Sequence, residues 1–108
     1  MQESPSLSYL LAMAWLAEKE VDEETAERIL PIVENLVNFL RELGTLRGEI
    51  KLGFKNLNEV NRLRMKFYEY WSEVKNEFKE DTHLLDILNK LFEEVDEEFE
   101  KTFLSTFS

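Results

Sequence analysis

LSYLLAMAWLA, residues 7–17, carries no charged side chain, in a chain that is 33% charged. The fold turns on whether this run is an export signal, a membrane anchor or a buried helix. A signal peptide begins with a cationic segment, but residues 1–6, MQESPS, contain Glu3 and neither Lys nor Arg. Ala12-Met13-Ala14 resembles a cleavage site, yet it lies inside the apolar run instead of after it. A bilayer crossing takes about 20 apolar residues, and this run stops well short of that. The sequence therefore predicts a protein without a membrane span, located in the cytoplasm.

The remaining reading is a helix. Ser4 is placed to cap it and Pro5 to occupy its first position, where a missing N–H costs nothing. Leu7, Tyr9, Leu10, Leu11, Met13, Trp15 and Leu16 cover several of its faces. A helix that is apolar nearly all round is expected to lie at the centre of a bundle, buried on most sides.

Composition supports helices throughout. Three Gly and two Pro in 108 residues are too few for the tight turns of an all-β fold. The abundant Glu, Lys, Leu and Arg are good helix formers. An apolar content of 44% with eight Phe, three Tyr and two Trp excludes intrinsic disorder. The length suits one domain, here residues 1–108. A single Gln and many Glu and Lys lean toward a thermophilic source, while seven Asn point the other way.

Periodicity gives the expected elements. Asp22 caps a second helix whose stripe is Ile29, Val33, Leu36, Leu40 and Leu43. Pro31 is expected to kink that helix and free the Glu27 carbonyl, and Gly44 to end it. Asn56 and Glu59 form the start of a third helix, with Val60, Leu63, Phe67, Tyr70 and Val74 on its buried side. Asp81 or Thr82 starts a fourth, in which Leu84/Leu91, Leu85/Phe92/Phe99 and Leu88/Val95 form columns seven apart. The expectation is an all-α, up-down bundle of about four helices, at approximately 5–19, 23–43, 56–80 and 82–103. An irregular connection would span 44–55, and the last residues, LSTFS, would fray.

No constellation identifies a chemistry. Without Cys, disulfides, thiolate catalysis and Cys-based zinc sites are impossible. Glu80-Asp81-Thr82-His83 contains Glu-x-x-His, but a di-iron bundle needs that motif twice and the chain has one His. Ser and Thr cluster at helix caps and termini, where backbone groups attract them. Gly44, Gly48 and Gly53 lack the Lys-Ser/Thr of a phosphate loop. A non-enzymatic protein without metal or cofactor is expected.

Charge and apolar surface suggest two kinds of partner. The net charge of −10 is unevenly spread, with residues 41–79 carrying nine bases against six acids between two acidic flanks. Within that belt Arg47, Lys51, Lys55, Asn58, Arg62 and Lys66 could contact phosphates, as in an accessory subunit of a nucleic-acid-handling complex. The competing reading is that the belt complements the acidic helices of the protein itself. A third possibility is that the acidic fourth helix imitates nucleic acid in a basic groove. More weight falls on an apolar excess, since four short helices cannot enclose one of their number completely. Tyr9, Met13, Trp15, Leu16, Phe99, Phe103 and Phe107 are accordingly expected to meet a partner, either a second copy in a homodimer or another protein.

Overall fold

Four α-helices, and no strand, occur among the residues described by the computed structural model, which are 5–54 and 57–106. They are α1 (Leu7–Glu18), α2 (Glu23–Lys51), α3 (Leu57–Glu77) and α4 (Thr82–Thr106). The all-α class expected from the sequence is the observed one. None of these helices is long and apolar enough to cross a membrane. The chain forms two compact units, Met1–Asn38 and Phe39–Ser108, and α2 runs from the first into the second.

The first unit is a helical hairpin. α1 starts two residues later than Pro5 would allow, because Ser6 takes the cap and its Oγ accepts the Tyr9 N–H at 3.1 Å. Pro5 lies outside the helix, and Ser4 lies outside the described residues. The end of α1 is closed by two bonds, from the Glu20 N–H to the Ala17 carbonyl and from the Val21 N–H to the Leu16 carbonyl. This is a Schellman ending, and it holds Glu20 at φ 57°, a conformation usually left to glycine. The Asp22 carboxylate then caps α2 through the Thr25 N–H at 3.1 Å. α2 continues without interruption through Pro31, which is exposed.

The expectation of a helix 1 buried on most sides is overturned. α1 buries only Ser8, Ala12 and Leu16, one side of the helix at i, i+4 and i+8. These are small residues except for the last. The Ser8 hydroxyl donates to the Asn38 Oδ1 at 2.5 Å, which satisfies the polar atom on that side. α2 contributes Ile29, Ile32, Val33, Leu36 and Val37 to the buried set.

In the second unit, residues 39–51 of α2 join α3 and α4 in an up-down-up arrangement. Phe39 lies against Phe67 and Tyr70, while Leu46 and Thr45 line a groove with Arg62 and Leu63, so α2 and α3 run in opposite directions. Trp71 meets Phe92 and Asn89, while Arg64 meets Asp96, which makes α3 and α4 antiparallel as well. Phe67 is fully buried at the centre, its ring within 6 Å of those of Phe39, Tyr68, Trp71, Phe92 and Phe99. Edge-on and tilted pairs of this kind add about 0.5–1.5 kcal/mol each beyond the area they bury.

Two boundaries differ from the expectation. The irregular connection at 44–55 does not exist as such: α2 runs on through Gly44 and Gly48 to Lys51. Each helical Gly costs up to about 1 kcal/mol relative to Ala, and that cost is outweighed by ties further along the same helix. Leu46 and Ile50 are half-buried, and Arg47 reaches α4. The ending glycine is Gly53, at φ 97°, where the Gly53 and Phe54 N–H groups bond the Ile50 and Glu49 carbonyls. At the other end of the chain α4 persists through Leu104–Thr106, where fraying was expected. The Ser105 and Thr106 hydroxyls both donate to the Thr102 carbonyl there.

Candidate interaction surface

Burying the small side of α1 turns its large side chains outward. At 100° per residue, Ser8, Ala12 and Leu16 centre on one direction, while Leu7, Leu10, Leu11 and Ala14 centre on the opposite one. Leu7 is 54%, Leu10 50%, Leu11 44% and Met13 43% exposed. No charged group interrupts α1 before Glu18. Single exposed apolar residues are ordinary on a protein surface, whereas several on one helix face form a candidate interaction surface.

The expected interface residues divide accordingly. Met13 is exposed, and Tyr9 and Trp15 are half-buried. Leu16 is a correction, because at 1% exposure it belongs to the core. Phe99 is another, fully buried and packed on Phe67. Phe103 is half-buried, with the Arg64 guanidinium 5.7 Å from its ring centre. Phe107 lies outside the described residues. The sequence reading did not single out Leu7, Leu10 or Leu11 as surface residues. The signal for them was the Ser8/Ala12 pair four apart, which shares one buried side with Leu16 and leaves Leu7, Leu10 and Leu11 facing away.

Two bases of the middle segment, Arg47 and Arg64, are occupied within the second unit. Arg47 donates from Nε to the Thr102 Oγ1 at 2.6 Å, and from Nη2 to the Glu98 carboxylate at 2.9 Å and the Glu98 carbonyl. Thr102 is only 2% exposed, and its hydroxyl donates in turn to the Glu98 carbonyl. The Arg47 hydrogen bond holds the Glu98 carboxyl below its ordinary pKa, against the opposing effect of partial burial and with Lys101 assisting. Arg64 is engaged the same way: its Nε and Nη2 both donate to one oxygen of Asp96, at 3.1 and 2.9 Å. The Tyr68 hydroxyl donates to that same oxygen at 2.6 Å. Burial raises the phenol's pKa and the neighbouring carboxylate raises it further. Partial burial works against the Arg64 charge, but Asp96 more than offsets this and raises its pKa.

The rest of the belt is at the surface. Arg62 pairs with Glu59 at 2.9 Å; Lys51, Asn58 and Lys66 are exposed; and Lys55 lies outside the described residues. Arg62 and Lys66 share a groove of about 390 Å³ with Glu42 and Glu59, so its charge is mixed. His83 is exposed in the first turn of α4. Among the described residues no group of three or more His, Asp or Glu is placed to hold a metal ion.

Comparison of the chain with protein-family models, with curated proteins and with solved structures finds no match.

Proposed function

We propose that this chain is a non-catalytic protein–protein association module, and that the outward face of α1 is buried against a second copy in a homodimer. The observation that carries the reading is the exposure of Leu7, Leu10 and Leu11, 44–54% each, on a helix with no charge before Glu18. A face that meets its own image across a two-fold axis must complement itself. An uncharged apolar seam does so, whereas the rest of a chain with net charge −10 would oppose its copy. One short helix per partner gives an interface at the small end of specific contacts, so the expected dimer is weak and reversible.

Sedimentation equilibrium across the micromolar range tests this. The wild-type chain is expected to shift from monomer to dimer with concentration. Added salt should strengthen the dimer by screening the like charges outside the seam. Leu10→Glu should leave the chain monomeric. Because Leu10 is half exposed in the single chain, that substitution should change folding stability by no more than about 0.5 kcal/mol. A wild-type chain that stays monomeric at every concentration, with Leu10→Glu indistinguishable from it, overturns the reading.

A further inference from the structure

Within the first unit, a groove of about 420 Å³ runs between α1 and the start of α2. It lies to one side of the outward seam of α1. Tyr9 and Met13 line it from α1, and Ala26 and Leu30 from α2. Glu23 and Glu27 stand on its α2 wall, and both are exposed. Glu23, Glu27, Leu30 and Glu34 are spaced four, three and four apart, so they follow one line along α2. Arg28, the only base in residues 23–38, projects about 100° further round the helix than Glu27. The groove is thus apolar along its floor and acidic along one wall.

We infer that this groove docks a cationic amphipathic helix of a partner protein, with apolar side chains on Met13 and Leu30 and Lys or Arg beside Glu23 and Glu27. The charge decides the occupant. Residues 1–38 hold eight acids and two bases, so a second copy would bring carboxylates to a wall already made of them. A basic helix brings the opposite charge, and its apolar stripe at i, i+3/i+4 and i+7 matches an elongated groove between two helices. The inference concerns a different side of α1 from the proposed dimer seam, and the two can fail separately. Salt separates them too, since it should tighten the dimer and weaken the basic helix.

The test uses the full chain and three fluorescein-labelled 18-residue synthetic helices with the same Leu face and a Lys, Gln or Glu polar face. Fluorescence anisotropy should show the Lys helix binding, the Gln helix binding about tenfold more weakly or worse, and the Glu helix not binding. Glu23→Gln with Glu27→Gln should weaken the Lys helix on the order of tenfold, and Met13→Glu should weaken all binding. Glu93→Gln with Glu97→Gln on α4 is the control for attraction to acidic surface in general, and should leave binding unchanged. Circular dichroism and sedimentation of each variant establish that fold and self-association are intact. Equal binding of the Lys and Gln helices overturns the inference, as does equal weakening by the α1/α2 and α4 substitutions. Binding of the Lys helix that is indifferent to Met13 and Glu23/Glu27 also overturns it, and none of these results touches the dimer.

Discussion

Glu20 closes α1 in a left-handed conformation, φ 57°, which costs an L-residue with a Cβ roughly 1–2 kcal/mol. Glu20→Gly removes that cost and adds some freedom to the unfolded chain, so a net gain of about 0.5–1 kcal/mol is expected in urea unfolding. Glu98 gives the chain a pH dependence. Its pKa is lowered in the folded state, chiefly by the Arg47 hydrogen bond. A depressed carboxylate contributes stability that is fully present above its unfolded pKa and is lost as pH falls through the folded value. Arg47→Met should therefore be less stable than wild type at neutral pH, and the gap should narrow below about pH 4. Both side chains are about a third exposed, at 36% and 35%, so the pH-dependent part should stay under about 1 kcal/mol. Unfolding curves at several pH values read it directly.

At the scale of elements, the three glycines separate helix interior from helix end. Gly44 and Gly48 lie inside α2, and a Cβ at either would meet nothing within 4 Å. Gly44→Ala and Gly48→Ala should each stabilise by about 0.5–1 kcal/mol, whereas Gly53→Ala, at φ 97°, should destabilise by about 1 kcal/mol. Thermal unfolding of the three variants checks the sign pattern, and a stabilising Gly53→Ala would contradict the helix end described here. The same glycines show where sequence reading stopped. The stripes of α3 and α4 were legible because Val60, Leu63, Phe67 and Val74, and Leu84, Leu88, Leu91 and Val95, repeat at helical spacing and are buried. The extent of α2 was not legible, because Gly44 is a good local stop and the contacts that override it, from Arg47 to Glu98 and Thr102, join residues more than 50 apart. The candidate surface was legible in kind but not in detail. An apolar excess on α1 follows from composition, but its direction is set by Ser8 and Ala12, whose smallness carries no hydrophobic signal.

On the scale of the whole molecule, the acidic-basic-acidic charge pattern has a partly internal use. Arg47 and Arg64, two of the nine bases in residues 41–79, are tied to Glu98 and Asp96 of α4. The outward face of α1 exposes Leu7, Leu10 and Leu11 with no charge before Glu18, and in the proposed homodimer a second copy covers it. The chain has no Cys, so Glu18→Cys at the end of α1 creates one unique labelling site at the edge of the seam. Dipolar electron spin resonance between nitroxides attached there, at concentrations where the dimer is populated, is the most direct measurement. Helix axes in contact lie about 8–10 Å apart, so a label-to-label distance under roughly 30 Å is expected, and its loss on adding Leu10→Glu. A dimer seen by sedimentation with no dipolar coupling at Glu18→Cys, or a coupling that survives Leu10→Glu, would contradict it.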